Sequence, residues 1–238
     1  MDNVDTFMMR RPPTALRPLL GLTVLLVEDS RFACEAVRMM CMRSGARIRR
    51  ADSVASAMKH LSIYRPNVLI IDIGLPDGCG LDLIAQLSQA VPRIDVILGS
   101  SGNPDLRDAA LSAGADGFME KPIARVSAFQ TILFSYLPVE RQPAGPRLLS
   151  TERITPDPLA YRDDLKHAAG VLEHDRSAET LDYIAQFLAG VASSADDRDL
   201  QDVVERLLLD RKAGLNTDLP LTDLTDMVTS RLKTAAGF

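Results

Sequence analysis

Three carboxylates, two hydroxyls and one amine occupy positions in this chain from which they could act together. Asp72 ends the apolar run Val68-Leu69-Ile70-Ile71, and Glu28 and Asp29 end the run 23–27. Ser100 and Ser101 follow the run 94–98, and Lys121 follows Gly117-Phe118-Met119 with one residue between. Carboxylates at 4 Å repel by about 1 kcal/mol per pair in water and roughly 4 at an effective dielectric of 20. An uncompensated set drives one member to protonate. A hard divalent cation such as Mg²⁺, held by carboxylates, waters and phosphate oxygens, is the natural relief. Lys121 is a compact charge suited to a phosphoryl oxygen or to Asp72 itself, and a serine hydroxyl can serve a second oxygen. Carboxylate, metal, amine and hydroxyl together describe phosphoryl transfer onto aspartate.

Those residues can meet only if particular elements carry them. The runs 23–27, 68–71, 94–98 and 117–119 are short, apolar and rich in β-branched residues, as strands buried on both faces of a parallel sheet are. Residues 46–51 alternate around Ile48 with Arg47 and Arg49 outward, which predicts an edge strand. Helical periodicity fills the gaps: 31–44 ending at Gly45, 53–64 before Pro66, 81–90, 104–114 behind Asn103-Pro104, and 126–137. Strands alternating with helices imply a doubly wound parallel sheet, an α/β fold of five strands. Its ligands sit at the C-terminal ends of the strands, where every one of the reactive residues falls.

In this order and spacing the motifs resemble the receiver domain of two-component response regulators over residues 22–138. The resemblance rests on Val27-Glu28-Asp29-Ser30, on Asp72 with Leu75-Pro76 and Gly80, on Ser100, and on Phe118-Met119-Glu120-Lys121-Pro122. It implies a flavodoxin-like fold with Asp72 as phosphoacceptor and with Glu28, Asp29, Asp72 and the backbone carbonyl of Gly74 as Mg²⁺ ligands. Ser100 would be the switch hydroxyl, with Ser101 as its alternative. Phe118 would be the aromatic that moves with it, and Lys121 the phosphoryl-binding lysine. The donor would be a sensor histidine kinase or a histidine phosphotransfer protein, which makes the chain a signalling phosphoacceptor rather than an enzyme. Gly74 and Gly102, two residues beyond Asp72 and Ser100, carry no side chain to shield an acyl phosphate, so a short lifetime is expected. Gly78-Cys79-Gly80 imitates a dinucleotide fingerprint, but it lacks the third glycine and follows the third strand.

The rest of the chain divides around that unit. Residues 1–20, with Pro12, Pro13 and Pro18, read as a flexible tail, and 139–157, with Pro143, Gly145, Pro146 and Pro156, as a linker. Residues 158–238 carry four apolar stripes, including Leu181/Ile184/Leu188/Val191 and Leu200/Val204/Leu207, which predict a small helical bundle for output or dimerisation. Residues 151–238 hold 10 Lys/Arg against 17 Asp/Glu. So acidic a balance argues against contact with phosphate backbones, and nucleic acid is not the expected partner. A protein target or a second copy fits better. The alternatives are a DNA-binding regulator and a phosphorelay shuttle in which His167 on the bundle accepts phosphate. No run reaches the roughly 18 apolar residues of a membrane span, and three unpaired cysteines suit a reducing cytoplasm. Cys34 and Cys41 share a helix face and read as core residues.

Overall fold

In the computed structural model, residues 12–145 and 150–234 are described. Five strands, β1 (Thr23–Val27), β2 (Arg47–Ala51), β3 (Val68–Asp72), β4 (Val96–Ser101) and β5 (Gly117–Glu120), form one sheet. All neighbours are parallel, in the order β2-β1-β3-β4-β5. The chain winds outward from β1 to β2, then crosses back to β3, so the crevice between the ends of β1 and β3 is the switch point where such sheets bind ligands. Every residue of β3 is buried, as its unbroken apolar run requires.

Strand alternation splits the packing into two cores. Val24, Leu26, Val68, Ile70, Val96 and Leu98 face α1 (Arg31–Ser44) and α5 (Val126–Tyr136). Leu25, Leu69, Ile71 and Ile97 face α2 (Val54–Ile63), α3 (Gly80–Ser88) and α4 (Arg107–Ser112). Local chemistry sets the helix ends: Ser30 and Ser53 accept amides at their N-caps, and Gly45 closes α1 with φ +86°. Cys34 and Cys41 lie buried in the first core, as expected.

Boundaries differ from the sequence reading at several points. The ladder of β4 begins at Val96, which donates to the Asn67 carbonyl; the Asn67 amide is already bonded to Thr23 on β1. A 3₁₀ turn over Pro104–Leu106 replaces the first turn of the expected fourth helix and leaves α4 six residues long. Of the expected tail, residues 1–11 lie outside the described residues, whereas Leu19 is fully buried in the first core and bonds the Ser44 carbonyl. The expected linker is likewise pinned over part of its length. Arg153 bridges Arg125, Ile154 enters the first core, and residues 146–149 lie outside the described residues.

The C-terminal residues form α6 (Pro158–His174), α7 (Ala178–Ala195), α8 (Arg198–Lys212) and α9 (Asp218–Thr234), a bundle with a third core around Leu165, Leu188, Val204 and Leu224. Residues 235–238 lie outside the described residues. Asp197 ties three helices together: it caps α8, accepts Tyr161 Oη of α6 at 2.7 Å and pairs with Arg231 of α9 at 2.9 Å. Among the described residues, no helix is long and apolar enough to cross a membrane.

Candidate functional site

Parallel register delivers the reactive residues to one place. Glu28 and Asp29 follow β1 directly, Asp72 ends β3 opposite Ser100 of β4, and Lys121 follows β5. Each of Glu28, Asp29 and Asp72 offers a carboxylate oxygen, and these lie within 4.8 Å of one another. The Lys121 ammonium sits 2.6 Å from Glu28 Oε2 and 2.9 Å from Asp72 Oδ1. Glu28 is 2% exposed and Asp72 8%, so little water screens the cluster.

The loop after β3 is folded tightly over Asp72. Gly80 N donates to the Ile73 carbonyl at 2.9 Å, and a Cβ at Gly80 would stand 2.1 Å from the Asp72 carbonyl oxygen. Only glycine fits that approach. Between them a small antiparallel hairpin pairs Gly74 with Cys79 and Leu75 with Gly78. Asp77 at its tip accepts the Val54 and Ala55 amides at the start of α2, a cap that sequence spacing gave no reason to expect.

Burial raises the Glu28 carboxyl to about 8; Lys121 opposes this, and the charges of Asp72 and Asp29 add to it. Burial also lifts Asp29 to about 6, against the hydrogen bond it accepts from Tyr183. For Lys121, burial alone would favour the neutral amine, but Asp72 and Glu28 outweigh it and hold the ammonium. Without a cation the site is thus electrostatically frustrated, one ammonium against three carboxylates. The donor set, all oxygen and clustered, fits a Mg²⁺ ion.

The two serines behave differently. Ser100 is buried and its hydroxyl donates to the Met119 carbonyl at 3.0 Å, on the α1/α5 face of the sheet. Phe118 lies on the opposite face, packed in the second core beneath the Arg107 guanidinium. Alternation puts Ser101, not Ser100, on the face of Phe118. Ser101 is half-buried and accepts the Asn103 amide.

The bundle contributes residues that the sequence reading did not place here. Tyr183 Oη donates to Asp29 Oδ2 at 2.7 Å. Asp164, 2% exposed, accepts the Ser30 hydroxyl and the Arg31 and Phe32 amides at 2.8–3.0 Å, covering the N-terminus of α1. Asp163 pairs with Arg31 at 2.7 Å. Burial raises the Asp164 carboxyl even though those donors oppose the shift. Nothing local in the sequence marks these roles, since Tyr183, Asp164 and Asp163 read as polar positions on amphipathic helices. His167 Nε2 lies 3.4 Å from Tyr183 Oη, whereas His174 is bonded to the Gly170 carbonyl of its own helix and His60 packs against Tyr64.

Residues 24–132 match the family model of the response regulator receiver domain. This segment is a receiver domain. Over 101 residues it is 35% identical to the KDP operon transcriptional regulatory protein KdpE of Escherichia coli, an alignment covering 42% of this chain and 44% of KdpE. Over 114 residues it is 28% identical to the cell cycle transcriptional regulator CtrA of Caulobacter vibrioides, covering 45% and 49%. The chain thus spans about half the length of the curated relatives it matches. Among solved structures, the chemotaxis response regulator CheY4 of Vibrio cholerae aligns with 21% identity and a TM-score of 0.45, over 49% of this chain and 98% of that one. The alignments to KdpE and CtrA are receiver-length, and both relatives are named as transcriptional regulators, so the exclusion of nucleic acid drawn from charge gains no support from them.

Proposed function

We propose that the receiver accepts a phosphoryl group on Asp72 from a histidine-phosphorylated donor, a sensor kinase or phosphotransfer protein, and signals through its helical C-terminal region. The observation that carries this reading is Asp72 at the end of a fully buried strand, 2.9 Å from the Lys121 ammonium and clustered with Glu28 and Asp29. In the transfer an Asp72 oxygen attacks phosphorus, the donor's P–N bond breaks, and the departing imidazole takes a proton. Lys121 holds the phosphoryl oxygens and neutralises charge that develops on them. Glu28, Asp29 and Asp72, with the Gly74 carbonyl, would hold Mg²⁺, which when bound supplies further positive charge at the transferring group. Ser100, opposite Asp72 across β3 and β4 and bonded to the carbonyl of Met119 beside Phe118, takes the switch role, with Ser101 as the alternative. Output is a protein contact or self-association of the helical region, with DNA binding as the alternative.

Acetyl phosphate with Mg²⁺ should label wild-type protein at an alkali-labile acyl phosphate and leave Asp72→Asn unlabelled; equal labelling of both proteins would exclude the site. Ser100→Ala should weaken the response to phosphorylation more than Ser101→Ala does. A second reading, the phosphorelay shuttle, is favoured by one observation: His167 Nε2 lies within 3.4 Å of a tyrosine that touches Asp29. It requires acid-labile, base-stable label that disappears in His167→Ala.

A further inference from the structure

We propose that α7 is a lid closed over the phosphoacceptor crevice, latched by Tyr183 on Asp29 and hinged through α6 on the N-terminus of α1. The inference rests on the reading of Asp72 as phosphoacceptor. Along α7, four positions on one helical face meet the crevice in succession. Tyr183 bonds Asp29 beyond β1, and the Gln186 side-chain oxygen lies 3.4 Å from where a Cβ of Gly74 would stand. Gly190 Cα lies 3.9 Å from a Cβ built on Gly102, in the loop after β4. Ser193 and Ser194 share a small cavity with Lys121 and Pro122 after β5. The spacings of three, four and three residues follow one stripe of an α-helix, so a single rigid element crosses the mouth from β1 to β5.

What holds the lid is polar, as befits a contact made to be broken. The bundle buries its own apolar core separately from the two cores of the sheet. Across the boundary stand the Tyr183–Asp29 bond, the Asp164 cap on α1, the Arg31–Asp163 pair and the edge-to-face rings of Phe32 and Tyr161. A donor protein must bring its phosphorus into line with Asp72, and α7 occupies that approach. Tyr183 also takes a lone pair of a carboxylate that the cation needs. Closed lid and loaded site therefore compete for Asp29, and phosphorylation would free the α6–α7 face for a partner.

The test locks the lid in the full chain. A Cβ added at Gly102 lies 3.9 Å from Gly190 Cα, near enough for cysteines at the two positions to be joined by oxidation through a short bis-thiol spacer that a reductant releases. In a Cys79→Ser background, Gly102→Cys with Gly190→Cys should label from acetyl phosphate and Mg²⁺ at least about tenfold more slowly when oxidised than when reduced, since a crosslink removes the open state. Tyr183→Phe, which deletes one hydrogen bond to a charged group, should label about tenfold faster than wild type. Equal rates for the oxidised and reduced protein, or no gain in Tyr183→Phe, would overturn the lid while leaving Asp72 as acceptor. Wild type that takes no label, with Tyr183→Phe also unlabelled, would overturn the phosphoacceptor reading itself.

Discussion

The receiver and the helical bundle each bury an aliphatic core, yet they handle charge in opposite ways. The receiver gathers three carboxylates, two of them buried against one ammonium and the third half-buried beside them. Its acids are pushed up, Glu28 to about 8 and Asp29 to about 6, chiefly by burial. Inside the bundle, Asp197 is met with donors instead. Asp197 is pulled down to about 2, first by its bonds to Arg231 and with help from Tyr161, against some desolvation. One region stores unfavourable charge that a ligand can relieve; the other spends its charges on holding helices together. That difference separates a site from a scaffold more reliably than burial does.

The largest expected effect lies on the receiver side of the comparison. Gly80→Ala places a methyl group 2.1 Å from the Asp72 carbonyl, and backbone on both sides prevents an easy retreat. Overpacking of this kind costs about 3 kcal/mol or more. A urea titration should show that loss, with Asp72 misplaced and labelling abolished. An unchanged midpoint would mean that the loop after β3 is looser than its geometry indicates.

Next comes a difference of sign. Groups whose folded pKa is raised contribute stability that is fully present below their unfolded values and lost as pH rises through the folded ones. For Asp29 and Glu28 that loss runs through about 6 and about 8, respectively. With EDTA present, the receiver should therefore weaken as pH rises across this window, and millimolar Mg²⁺ should flatten the decline. Asp197 behaves oppositely: its stabilisation is present above the unfolded value of 3.8 and lost as pH falls toward about 2. Chemical denaturation followed by α7 and β3 probes across both windows would separate the trends. A common pH profile for the two regions would break the comparison.

Smaller again is Arg231→Ala, which removes the guanidinium that Asp197 shares with Asp199. The pair is partly exposed, so the cost should be about 1 kcal/mol. It should fall on the bundle's unfolding transition and leave acetyl phosphate labelling at least as fast as in wild type.

These contrasts also explain what sequence could reveal. Asp72, Glu28, Asp29 and Lys121 were legible because each ends an apolar run, and a parallel sheet has only one place to put strand ends. The strands followed from short apolar runs and one alternating segment, and the helices from 3.6-residue periodicity with glycine and proline marking their ends. Ser100 was preferred over Ser101, but which face of β4 each occupies depends on the register with β3 and β5, which spacing alone does not give. The fourth helix was overlong because a proline at its start reads alike for an α-turn and a 3₁₀ turn. Tyr183, Asp164 and Gln186 were invisible for a deeper reason. Their partners lie more than a hundred residues away in another packing unit, and a polar residue on an amphipathic helix is by default assigned to solvent.

The finest test asks whether the bundle is scaffold throughout. Gly170 sits inside α6, and a Cβ added there meets nothing within 4 Å. Glycine in a helix interior is less favourable than alanine by roughly 0.5–1 kcal/mol, because the unfolded chain loses more freedom on folding. Gly170→Ala should therefore stabilise the bundle by about that amount, read as a raised midpoint in thermal or urea unfolding. At Gly80 the same substitution should be ruinous, so one chemical change carries opposite signs in the two regions. Labelling of Asp72 should not change, since position 170 contacts neither the crevice nor Tyr183 in any hydrogen bond of its side chain, glycine having none. Destabilisation by Gly170→Ala would require that α6 bend or close against something at that point, and would count against a bundle held together only by its own core and Asp197.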